Sequence, residues 1–77
     1  MNRQRRKSIQ ELINQMEELK SALESLQEEE QESYDNLPES FQEGERGKQM
    51  QEVIDNLESA VSSIEEAIDY ATSAIEN

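Results

Sequence analysis

Carboxylates are the side chains with which this chain could do chemistry. Nineteen Asp and Glu stand against seven Lys and Arg, for a net charge of -12, and there is neither His nor Cys. General acid–base and nucleophilic catalysis draw mostly on His and Cys. A pair of carboxylates, as in glycoside hydrolysis, needs a cleft that holds two acids at a set distance. A helical-bundle di-metal centre needs a Glu-x-x-His motif, and no His completes one. Cys and His metal sites are excluded by composition, and no EF-hand spacing is present. The expectation is a non-enzymatic protein with no cofactor and no metal.

Two glycine motifs invite a nucleic-acid reading. Gly44-Glu45-Arg46-Gly47 spells the G-x-x-G of a KH loop, but its flanks carry no strand pattern and its surroundings are acidic where RNA requires positive charge. Gly47-Lys48 lacks the second glycine and the Ser or Thr of a phosphate loop. A turn between helices accounts for both motifs more simply.

The elements that would position any site are two helices. Met50, Ile54, Leu57, Val61, Ile64, Ile68, Ala71 and Ile75 recur at alternating steps of four and three. That is the a/d repeat of a helix buried along one seam. Val53, Ala60, Ala67 and Ala74 form a seven-residue row beside it, at g. So wide an apolar face predicts packing against more than one helix, and these twelve residues together are the expected oligomer interface. In the first helix the steps of three and four fall on Ile9, Leu12, Met16, Leu19, Leu23 and Leu26. This stripe is narrower, with Ile13 and Ala22 at its edges, which puts the first helix on the outside of the assembly. The repeat breaks at Glu30 and Ser33 before Tyr34 and Leu37 resume it. Either the supercoil changes there or the helices have begun to part.

Boundaries follow from capping and turn chemistry. Residues 1–7 read as a basic arm carrying Arg3, Arg5, Arg6 and Lys7, and Ser8-Ile9-Gln10-Glu11 fits a capping box. The first helix is expected over 8–36, stopped by Pro38, with a turn over 37–47 and a second helix over 48–76. Asn36 and Glu39 are candidate caps for a short helical turn carrying Leu37 and Phe41. Phe41 is expected to plug the bundle end against Leu37 and Met50. The basic arm would lie beside Glu65, Glu66, Asp69, Glu76 and the terminal carboxylate and relieve their repulsion; its other reading is a contact with nucleic acid or an anionic surface. The predicted fold is all-α: a single domain over 1–77, an antiparallel two-helix hairpin, coiled-coil-like, that dimerises into a four-helix bundle. Small chains without disulfide or metal need such self-association. Low hydrophobicity and high charge also describe disordered chains, but those do not place Ile and Leu at seam spacing.

The acids cluster. Eight of them fall in the eighteen residues from Glu28 to Glu45. The candidate partner-binding surface is Glu17, Glu24, Glu28, Glu29, Glu32, Asp35, Glu39 and Glu43. Eight carboxylates from Glu17 to Asp35 span about 28 Å of helix. That is about one per 3.5 Å, close to the phosphate spacing of one DNA strand. Such a helix could occupy a basic groove meant for nucleic acid; alternatively it is a solvated face that keeps an oligomer soluble.

The run Tyr34-Asp-Asn-Leu-Pro-Glu-Ser-Phe-Gln-Glu-Gly-Glu-Arg-Gly, followed by Ile54-Asp55-Asn56-Leu57-Glu58, resembles small acidic helical-hairpin proteins of Gram-positive phages and prophages, mostly of unassigned function. Its most specific part is the Asp35-to-Ser40 turn, while Gly44 and Gly47 depart from a more polar turn. The resemblance implies a bacterial host and supplies no mechanism. The functional expectation is an interaction protein that pairs with itself, a dimer first, and binds a protein partner, inhibiting a host defence factor. The alternatives are a nucleic-acid mimic that blocks a DNA-binding enzyme and a structural component of virion assembly. The partner would be basic or itself a nucleic-acid binder. Direct nucleic-acid binding and membrane insertion are not expected, since no apolar run approaches the ~20 residues of a span. With no apolar stretch after the basic start, the expected compartment is the cytoplasm.

Overall fold

Asn2 opens the first helix by accepting a hydrogen bond from the Arg5 amide on Oδ1 at 2.8 Å. In this computed structural model, which describes residues 1–76, α1 spans Arg3–Asp35, α2 is the short Glu39–Gln42, and α3 spans Glu45–Glu76. The described residues contain no strand, so the chain is all-helical. The terminal carboxylate on Asn77, expected beside the basic arm, lies outside the described residues.

Two expected boundaries are corrected. Helix α1 starts at Arg3 and not at Ser8, because the Asn2 cap satisfies its first free amides and Ser8 is already inside the helix. The basic residues are therefore part of a helix and not a separate arm, and none of Arg3, Arg5, Arg6 and Lys7 makes an ion pair with a described residue. Helix α3 starts at Glu45 rather than 48, where the Gly44 carbonyl accepts from the Lys48 amide at 3.1 Å.

Pro38 ends α1 and begins α2. The Leu37 amide closes on the Tyr34 carbonyl at 3.1 Å, and the Pro38 carbonyl receives the amides of Phe41 and Gln42 at 2.9 and 3.1 Å. Gln42 then turns back: its Nε2 also donates to the Tyr34 carbonyl at 3.0 Å, using the second lone pair of an acceptor in the last turn of α1. The next approach is closer still. A Cβ on buried Gly47 would lie 2.1 Å from the Gln42 carbonyl oxygen, so only glycine lets the first turn of α3 pass the α2 backbone. Phe41 does not plug this end; its ring is exposed, while Leu37 and Met50 are half-buried.

Helices α1 and α3 pack along their length in a rod 58 Å long and 14 by 12 Å across. An α1 of 33 residues accounts for about 50 Å of that length. On α3 the expected seam residues from Met50 to Ile75 are all buried or half-buried, with Ile54 and Ile68 deepest. On α1 the seam differs from the sequence expectation. Apart from half-buried Gln31 at its edge, the covered residues are Ile9, Ile13, Met16, Lys20, Leu23, Gln27, Glu30 and Tyr34, with Leu37 just past the helix end. Their steps alternate four and three without a break, so no interruption occurs at Glu30. The row Leu12, Leu19 and Leu26 stands outside that seam, at 55%, 60% and 53% exposure.

Candidate interaction surfaces

Each seam has a flanking row on either side, the e row and the g row of a heptad. Which flank faces which is set by the two grooves between the helices. One groove is lined by Glu17, Lys20, Ser21, Glu24, Glu65, Ile68 and Asp69. It joins the e row of α1 (Gln10, Glu17, Glu24, Gln31) to that of α3 (Gln51, Glu58, Glu65, Thr72). The other is lined by Glu30, Ser33, Arg46, Gln49, Met50 and Val53. It joins the g row of α1 (Arg5, Leu12, Leu19, Leu26, Ser33) to that of α3 (Arg46, Val53, Ala60, Ala67, Ala74).

The two sides differ in charge. Acids crowd the first groove, and Glu28, Asp35, Asp55 and Asp69 continue the charge outward on the next helical rows. Lys20 is the cation set among them: its Nζ donates to Glu65 Oε1 at 2.9 Å. The Glu65 carboxylate holds the Lys20 ammonium above the ordinary lysine range, aided by Glu24 and Glu17 and opposed by partial desolvation. The second side is neutral along its middle. Beyond the g rows lie Ser8, Gln15, Ala22 and Glu29 on α1 and Gln49, Asn56, Ser63 and Tyr70 on α3. Of all these positions between the arginines at the row ends, Glu29 alone is charged. Val53, Ala67 and Ala74 are exposed here, Ala60 is half-buried, and Tyr70 is well exposed.

The eight acids expected to act as one surface are all exposed, but they do not share one face. Glu17 and Glu24 line the acidic groove, with Glu28 and Asp35 on the adjoining row. Glu32 points to the back of α1, Glu29 borders the neutral side, and Glu39 and Glu43 ring the turn. The groove also takes in Glu65 and Asp69 of α3, which the sequence sets beside the basic start and not in this surface, and Glu58 lies one heptad along the same row. Their signal was the seven-residue step from Glu58 to Glu65, matching that from Glu17 to Glu24. Among the described residues no three His, Cys, Asp or Glu side chains converge as a metal site, and no helix is long and apolar enough to cross a membrane.

Comparison of the chain with family models, with curated proteins and with solved structures found no match.

Proposed function

We infer that this chain is a non-enzymatic interaction protein. In this reading it is an antiparallel two-helix hairpin that pairs with a second copy into a four-helix bundle and binds a basic protein partner through its acidic side. The setting is a Gram-positive phage or prophage, acting in the host cytoplasm on a defence factor. The observation that carries the reading is the segregation of charge. Glu17, Glu24, Glu65 and Asp69 gather at one groove, with Glu58 one heptad further along the same α3 row, and a single cation, Lys20, answers them there. Clustered charge of one sign steers and orients a partner of the opposite sign.

A second reading, a nucleic-acid mimic, is favoured by one feature. The carboxylates from Glu17 to Asp35 lie on one uninterrupted helix, and although they occupy several faces their density along its axis is about that of phosphates along a strand. Affinity capture from a Gram-positive host lysate tests both. The wild-type chain should retain a partner that a Glu17→Gln, Glu24→Gln, Glu58→Gln, Glu65→Gln variant loses. Equal capture by the two would remove the acidic side from the mechanism. A captured protein that DNA displaces, and whose binding weakens steeply with salt, would select the mimic.

A further inference from the structure

We propose that the neutral side of the rod is the self-association surface, with the α1 leucines of one copy seated on the α3 alanines of the other. The inference rests on the antiparallel hairpin of the reading above, and it replaces an interface built by the second helix alone. Ser33 and Val53 share one groove. Stepping by sevens from that pair in opposite directions sets Leu26 opposite Ala60, Leu19 opposite Ala67, and Leu12 opposite Ala74. Each of these three layers thus shows one large side chain on α1 and one small on α3, and the Ser33–Val53 layer reverses the order.

Such a face fits itself in one way. A two-fold axis parallel to the helices lays α1 of one copy over α3 of the next without changing the level of any residue. Each layer then holds two leucines on one diagonal and two alanines on the other, so large fills small all round. Alternating large and small residues is how facing layers reach interior packing density. An axis across the helices would instead set leucine on leucine and leave the alanines facing a gap.

Charge selects a second copy over any other occupant. In a two-fold contact the surface meets a copy of itself, so a surface of high net charge would face one of the same sign. A chain of net charge -12 approaches itself at least cost through a surface poor in acids, and this side carries only Glu29 and Glu30, with Arg46 beside them. A basic partner would be drawn to the opposite groove. The area is sufficient: the rows run about 31 Å, and with a two-helix width the face covers roughly 600 Å² per copy, near the lower edge of the ~1,200 Å² total of stable specific interfaces.

Light scattering and disulfide trapping test this together. The wild-type mass should be twice the 8.9 kDa of one chain, and Leu19→Glu should halve it. The chain has no cysteine, so oxidising a mixture of Leu19→Cys and Ala67→Cys chains reports which residues meet. The mixed 19–67 disulfide should dominate over either symmetric one, and Glu66→Cys on the outer row should not cross-link. A dominant 19–19 disulfide would overturn the leucine-on-alanine register. A dimer that survives Leu19→Glu but is split by Ala67→Glu would overturn the role of α1 while leaving the proposed dimer intact. A monomeric wild-type chain would overturn both this inference and the bundle, and would leave capture by the acidic side to be judged on its own.

Discussion

The Lys20 ammonium lies 2.9 Å from a Glu65 carboxylate oxygen, although Lys20 holds a seam position between Met16 and Leu23. The side chain runs its apolar stem along the seam and delivers its charge to the acidic edge. A polar residue in a heptad seam fixes alignment at a cost in stability; of the seam's Lys20, Gln27 and Glu30, Lys20 has an ion-pair partner on the other helix. The alignment of α1 with α3 is thereby marked by one ion pair near mid-rod.

Replacing Lys20 with Leu should therefore raise the melting temperature at pH 7, since an apolar group then fills the seam. The same variant should change the alkaline limb. A lysine raised above 10.5 on folding contributes stability that is complete below its unfolded value and is lost as pH rises through the folded one. Thermal melts from pH 8 to 12 should show a wild-type decline above about 10.5 that Lys20→Leu lacks. A parallel decline in both proteins would mean that the pair contributes nothing at that edge.

Gly47 and Gly44 should respond differently to a methyl group. At Gly47 the new Cβ meets the Gln42 backbone at 2.1 Å, and a backbone cannot swing aside as a side chain does. Gly47→Ala should cost about 1–3 kcal/mol, the range of overpacked interiors. At Gly44 the nearest atom is 3.5 Å away, an ordinary contact, so Gly44→Ala should stay within about 0.5 kcal/mol. Urea titration of both variants distinguishes them.

Neighbouring residues on α1 should also part company. Ile13 is 3% exposed and Leu12 is 55% exposed. Ile13→Ala empties a packed site and should cost about 2–5 kcal/mol. Leu12→Ala should lose far less, and its loss should grow with protein concentration if that leucine meets a second copy. Melts at two concentrations, a hundredfold apart, read this directly.

At the start of α1 the cap is Asn2 and not Ser8. Asn2→Ala should cost about 1 kcal/mol, as the loss of an N-cap does, and should release amides in the first turn to faster hydrogen exchange. Ser8→Ala should leave exchange across Arg3 to Lys7 unchanged. Protection that begins only at Ile9 would restore the capping box.

The seam of α3 was legible because each of its a and d positions is apolar and no rival row is longer. On α1 two rows compete. Leu12, Leu19 and Leu26 outrank Lys20, Gln27 and Glu30 in hydrophobicity, yet the latter three are the ones covered by α3. Hydropathy ranks rows by transfer energy, whereas the rotation of a helix is decided by what the partner helix offers along its whole length. The interruption read at Glu30 arose from following the wrong row. Gly47 is a similar case: its requirement lies in a through-space approach of Gln42, which no local pattern encodes. The acidic groove was half legible, since Glu17 and Glu24 belong to the expected surface while Glu65 and Asp69 are expected beside the basic start.

The connector between the long helices has a consequence for motion. At that end Gln42 grips the Tyr34 carbonyl and Gly47 is pressed on the α2 backbone, while at the other end the helix termini carry charges against their own dipoles and no ion pair ties them among the described residues. The rod is thus a zip sewn shut at one end. Thermal opening should begin at the frayed termini and travel inward, and the Lys20–Glu65 link would be the first stitch it meets.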